Sequence, residues 1–191
     1  MAYSFSNVIH PAGADNMGGM ATDVYFAPQT AFKSFPTFKK EDDIYLEGKF
    51  EFLESDAAFV HITATYKTNG LKSNAVGDTD CRCSKQEGEF FHPGASEAAA
   101  KFARLVQNTP GVFIVRDTEG KWRVIGDVVN PANVTVEHDT GKSPEDRKGF
   151  TIKFEAYSTR PIVYYKPTDE KNPFPVVGGT KPSGGGTGIG G

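Results

Sequence analysis

Much of the vocabulary of secreted, membrane and catalytic proteins is missing from this sequence. Its 191 residues include two cysteines, too few for the disulfide framework that staples small extracellular domains. The opening Met1-Ala2-Tyr3-Ser4-Phe5-Ser6-Asn7 has neither a basic stretch nor an apolar run, so no secretory leader is expected and the cytoplasm is the expected place of folding. No apolar run approaches the ~20 residues that a membrane-crossing helix needs. The basic excess of a nucleic-acid clamp is absent too: 21 Lys and Arg stand against 24 Asp and Glu, a net charge of −3. No G-x-S-x-G, H-E-x-x-H or phosphate-loop pattern occurs, so the expectation is a non-enzyme with no cofactor and no metal.

What the chain does have is aromatic residues, 15 Phe and 7 Tyr against a single Trp. Phe and Tyr favour strands. The 21 glycines carry less weight, because eight of them fall with four prolines in the last 26 residues. Residues 166–191 therefore read as a flexible tail that buries too little to offset its ordering entropy. Its final six residues match G-x-G-x-x-G, but a dinucleotide fingerprint needs a preceding strand and a following helix. Without the tail, residues 1–165 hold 18 basic and 22 acidic side chains, a body at −4.

Along the body, residues 1–19 read as an irregular arm. Residues 21–27 alternate as a strand, with Val24 and Phe26 on one face and Asp23 and Tyr25 on the other. Residues 28–43 read as a loop pinned by Phe32, Phe35 and Phe38. Residues 44–53 form a clean alternation, with Tyr45, Glu47, Lys49 and Glu51 on its polar side, and 59–68 read as its antiparallel return. The polar stretch 67–89 is either an extended hairpin or a disordered loop. One helix is predicted over 97–107, capped by Ser96, with a stripe of Ala98, Phe102, Leu105 and Val106. Residues 111–117 and 121–128 flank a Thr118-Glu119-Gly120 turn as a hairpin. Strands are predicted at 133–139, 150–157 and 161–165. The expected fold is mainly β: an antiparallel β-sandwich or open barrel of seven or eight strands with one docked amphipathic helix, a long loop and a flexible C-terminal tail.

Chemistry-bearing clusters are sparse. Cys81-Arg82-Cys83 has one-residue spacing, where structural zinc wants paired C-x₂₋₄-C or H-x₃₋₅-H ligands; exposed spectator thiols are the better reading. Asp78 and Asp80 begin like a calcium loop, but Cys83 occupies its glycine position. His10, His61, His92 and His138 share no constellation with a nucleophile. Lys39-Lys40 and Arg147-Lys148 sit beside Glu41-Asp42-Asp43 and Glu145-Asp146, which reads as solvated, neutralised surface.

Three stretches carry a resemblance. The first is Pro11-Ala12-Gly13-Ala14-Asp15-Asn16-Met17-Gly18-Gly19 followed by Val24-Tyr25-Phe26-Ala27. The second is the mid-chain helix after a long loop. The third runs through Trp122-Arg123-Val124-Ile125-Gly126-Asp127 and Asp139-Thr140-Gly141-Lys142 to the segment from Asp146-Arg147-Lys148-Gly149-Phe150 to Ala156. Together, over about residues 10–165, they resemble the major tail tube proteins of long-tailed bacteriophages. The resemblance implies a virion protein, assembled in the host cytoplasm, that forms stacked hexameric rings, contacts other tail proteins and passes DNA as cargo. It implies stacking through the 67–89 loop and the 1–19 arm, with Asn16, Met17, Asp78, Asp80 and Arg82 as stacking candidates. Under it, Glu47, Glu51, Glu137 and Asp139, on the polar sides of their strands, become candidates for an acidic lumen. Such a lumen repels phosphates and lets the genome slide. The alternatives are another phage-like injection component or a monomeric β-sandwich binding module.

Overall fold

In the computed structural model, residues 7–8 and 18–179 are described. Thirteen strands and one α-helix follow one another among these residues as β1 (Met20–Pro28), β2 (Phe32–Ser34), β3 (Thr37–Phe38), β4 (Tyr45–Glu47), β5 (Glu51–Phe52), β6 (Val60–Thr63), β7 (Gly70–Val76), β8 (Cys83–Pro93), α1 (Glu97–Val106), β9 (Gly111–Asp117), β10 (Trp122–Ile125), β11 (Asn133–Asp139), β12 (Gly149–Ser158) and β13 (Tyr164–Lys166). They form a seven-stranded sheet ordered β3-β4-β13-β10-β9-β1-β6, a four-stranded sheet ordered β11-β12-β8-β7, and a small β2-β5 pair. The mainly β, sandwich-like architecture with a single helix is as expected.

The two larger sheets meet through a shared core. Val24, Phe26, Phe113, Val115 and Ile125 of one sheet pack with Phe90, Ile152, Phe154 and Ala156 of the other. Phe113 stacks on Phe154 with ring centroids 4.3 Å apart. Phe154 also spreads across Gly88, where any Cβ would collide with its ring. The helix begins where Ser96 Oγ accepts the Ala99 amide at 3.2 Å. Its packed stripe is Ala99, Phe102, Ala103 and Val106. Leu105, predicted to face inward, is exposed, because the helix is rotated so that Phe102 meets Phe26 edge-on.

The opposite face of the seven-stranded sheet is also buried along its central strands. Tyr25, Val112, Ile114, Trp122, Val124 and Tyr165 lie under an aromatic roof that includes Phe50, Phe59 and Phe174. This explains why β9 reads Val112-Phe113-Ile114-Val115 without alternation: both of its faces are dry.

Several expectations are corrected. The single strand over 44–53 breaks at Gly48, whose φ is +119°. Its first part joins the seven-stranded sheet as β4, and its second part pairs with β2 as β5. The return strand pairs with β1 instead and stops before a turn in which Thr65 O accepts both the Thr68 amide and its hydroxyl. Residues 67–89 include a regular hairpin, in register from Gly70↔Glu89 to Val76↔Cys83. The boundary at 165/166 also moves. Lys166 belongs to β13, parallel to β4, and residues beyond it form a strap that seats Phe174 and Val176 in the aromatic core. The strap is fastened by backbone bonds, Phe59 donating to Pro175 O at 3.0 Å and Val177 to Phe59 O at 2.9 Å.

Candidate functional site

Alternation along the four-stranded sheet sends one set of side chains into the core and the other to solvent. The register places Glu137 and Asp139 of β11, Lys153 and Glu155 of β12, Lys85, Glu87 and Glu89 of β8, and Lys72 of β7 on the outward set. Five carboxylates thus face three lysines. Glu87 and Glu155 are direct cross-strand partners, a like-charge pair that is unfavourable by itself. Lys85 resolves it, bonding Glu155 at 2.7 Å and Glu87 at 3.0 Å, while Lys72 reaches Glu87 from the other side at 3.0 Å. Bonding to Glu155, then to Glu87, raises the Lys85 pKa well above the ordinary lysine value. Lys85 and Lys72 together hold Glu87 below the usual carboxylate range. Lys153 donates to both oxygens of Glu137, at 3.1 and 3.2 Å.

Every lysine on this face is therefore held by a carboxylate, and the surplus charge is negative. The face is concave, enclosing about 640 Å³ between side chains that include Lys72, Glu87, Glu89, Thr135, Lys153 and Glu155. At its margins β7 and β11 each have one strand neighbour among the described residues, so they are the edge strands of this sheet.

The predicted site residues separate into groups. Glu137 and Asp139 share this face, and Asp139 Oδ1 accepts the Gly141 amide at 2.9 Å. Glu47 lies on β4 of the other large sheet, in an ion pair with Lys39 that lowers its pKa. Glu51 lies on β5 in the two-stranded sheet, so the four acids do not converge. Asp78, Asp80 and Arg82 form the exposed tip of the β7–β8 hairpin. Asn16, Met17 and His10 lie outside the described residues.

Sequence reasoning missed Glu87, Glu89 and Glu155. The available signal was the alternation Lys85, Glu87, Glu89 against Ser84, Gln86, Gly88. It was masked because the inward set begins with polar and small residues. Gln86 is buried by virtue of donating to the carbonyls of Arg160 and Pro161 at 3.2 and 3.4 Å.

The remaining candidates have local roles. His61 bonds Asp23 at 2.6 Å and stacks on Tyr25, His92 Nδ1 meets Thr63 O at 2.8 Å, and His138 packs on Phe150. Cys81 and Cys83 are free thiols. Among the described residues, no three His, Cys, Asp or Glu side chains are grouped to hold a metal, and no helix is long and apolar enough to cross a membrane. Comparison with protein-family models, curated proteins and solved structures finds no match to this chain.

Proposed function

We propose that this chain is a structural subunit whose copies join through the four-stranded sheet into hexameric rings, and that the rings stack into the tail tube of a long-tailed bacteriophage. The observation that carries the reading is a polar, net acidic, concave sheet face bounded by two edge strands, each with one strand neighbour among the described residues. Four antiparallel strands leave β7 and β11 running in opposite directions. A copy brought up by rotation about an axis near the strand direction can therefore lay its β11 antiparallel to β7 and continue the ladder. Repeated around a closed ring, the junction consumes both edges and turns the acidic faces toward one lumen. Duplex DNA inside such a wall meets lysines already held by glutamates and a surplus of carboxylates, so its phosphates find few places to adhere.

The test is negative-stain microscopy and mass measurement of the purified full chain across a concentration series. Rings or tubes uphold the proposal; a monomer at every concentration refutes it. An apolar groove of about 580 Å³, lined in part by Phe38, Leu46, Val124, Val129 and Tyr157, favours a second reading as a monomeric binding module. That reading requires the monomer outcome.

A further inference from the structure

The turn between β6 and β7 ties the two large sheets together at one place. Leaving β6, the Ala64 amide donates to Thr22 O of β1 at 2.7 Å, and the next amide, that of Thr65, donates to Phe91 O of β8 at 2.7 Å. The chain then reverses with Lys67 at φ +63°. Thr68 Oγ1 accepts the Phe91 amide at 3.3 Å. Asn69 completes the tie to β1: its Nδ2 donates to Met20 O at 2.9 Å and to Ala21 O at 2.5 Å. Both hydrogens of one carboxamide are thereby used. They serve a stretch where β1 has few ladder bonds of its own. Its register on β9 shifts between Met20 and Val24, and the residues paired with β6 run from Asp23 to Phe26.

The residue after Asn69 is glycine, and of the eight asparagines in the sequence this one alone precedes a glycine. Gly70 is exposed, and a Cβ placed on it would meet no atom within 4 Å. That combination defines a chemistry. With no side chain to crowd the approach, the Gly70 backbone nitrogen, having given its proton to hydroxide, attacks Asn69 Cγ. The new C–N bond closes a five-membered imide, the Cγ–Nδ2 bond breaks, and the amide nitrogen leaves as ammonia with a proton from water. Water then opens the imide. Cleavage of the new bond to Cγ leaves an aspartate. Cleavage at the main-chain carbonyl carbon instead leaves an isoaspartate, whose main chain runs through Cγ and is longer by one methylene. One amide and one water are consumed; one carboxylate and one ammonium ion are produced.

We propose that Asn69–Gly70 is a deamidation site, and that its reaction is a one-way release of the start of β1. In the folded chain the two hydrogen bonds hold the carboxamide against the β1 carbonyls, so the rate follows local opening of the turn. A carboxylate formed there has no hydrogen to offer Met20 O and Ala21 O. Two acceptors that had donors then face negative charge. The isoaspartyl product also displaces β7, whose pairing on β8 starts at Gly70↔Glu89. The site is independent of assembly and acts in a monomer as in a ring.

The test incubates the full chain in mildly alkaline buffer, folded and in denaturant, and follows it by peptide mass spectrometry that separates aspartyl from isoaspartyl products. Residue 69 of the folded chain should convert ahead of Asn74, which precedes Ala75. Conversion should quicken as pH rises and quicken again in denaturant. Gly70→Ala, whose added methyl meets open space, should melt like the parent and lose the reaction. Hydrogen exchange on the aged, still folded fraction should show lost protection around Met20–Asp23. Asn69→Asp should show the same loss and melt roughly 4–8 °C lower than the parent; if that variant does not fold, the aged parent carries the exchange measurement. An Asn69 that stays intact in the folded chain, through an incubation that converts it in denaturant, overturns the site. Unchanged conversion in Gly70→Ala overturns the imide route. A deamidated chain with the parent's exchange and melting overturns the release of β1.

Discussion

The two large sheets of this molecule use the same strand chemistry for opposite ends. The seven-stranded sheet is dry on both faces along its central strands, with β1 and β9 packed against the four-stranded sheet on one side and an aromatic roof on the other. The four-stranded sheet is dry on one face and carries a lattice of glutamates and lysines on the other. One sheet holds the fold; the other is free to present a surface. Substitutions should therefore separate cleanly, with stability following the first sheet and association following the second.

The largest effect is expected in the aromatic roof. Phe59 is fully buried and Phe174 nearly so, and their rings meet at 5.1 Å. Phe59→Ala should cost about 3–5 kcal/mol, the usual range for emptying a buried phenylalanine site. Phe174→Ala should approach that value in denaturant titration. A near-neutral Phe174→Ala would mean that the strap is peripheral, and would return the body's boundary to residue 165.

Gly88→Val tests the seam between the sheets. Its side chain would enter the space held by the Phe154 ring, and overpacking of this kind should cost about 1–3 kcal/mol. A smaller loss would show that Phe154 can rotate away.

Tyr165 offers a milder probe of the dry side. Its hydroxyl lies 2.9 Å from Pro173 O and 3.1 Å from Gly48 O, and burial pushes its pKa up to about 12 from 10.0. The folded state thus holds this proton more tightly than the unfolded chain does. Its contribution is complete below pH 10 and drains away as pH rises from 10 to 12. Tyr165→Phe should lower stability by about 1–2 kcal/mol at neutral pH and flatten the alkaline decline, as followed by melting temperature against pH.

The smallest stability effect belongs to the wet face. Glu87 is held below its ordinary value of 4.5, so its support is present above that pH and is lost as pH falls through the lowered value. Glu87→Gln should leave the melting temperature at neutral pH nearly unchanged, since exposed ion pairs contribute little. Paired with Glu155→Gln, it frees Lys85 and brings the face from a surplus of two negative charges to neutrality, three carboxylates against three lysines. DNA retention by assembled rings should then rise, measured by co-sedimentation at low salt. An unchanged retention would break the link between this face and a passing genome.

Where burial and pattern agree, the fold was legible in the sequence. The alternation of Phe150, Ile152, Phe154 and Ala156 placed β12, and the Thr118-Glu119-Gly120 turn placed the β9–β10 hairpin. Ser96 placed the helix start. Misreadings arose where tertiary structure overrides local pattern. The run from Ile44 to Leu53 alternates faultlessly, but Gly48 divides it between two sheets. Phe174 and Val176 sit among residues too polar and proline-rich to signal packing, and only the aromatic roof gives them a place. At the site, Glu137 and Asp139 were visible because Val134 and Val136 mark the inward side of β11. Glu87 and Glu89 were hidden because Gln86 and Gly88 do not look like core.

The strap has a further consequence, for the order of folding. Phe59 is bridged to Val176, and Tyr45 is registered against Tyr164, so the aromatic roof is closed by contacts more than a hundred residues apart along the chain. Long-range pairings of this kind must await loop closure and form slowly. During synthesis on the ribosome, β1 and β6 emerge long before the segment that covers their aromatic side. Until that segment arrives, Tyr25, Phe50 and Phe59 lack their final cover, and chaperone engagement should be greatest in nascent chains halted between β12 and the strap.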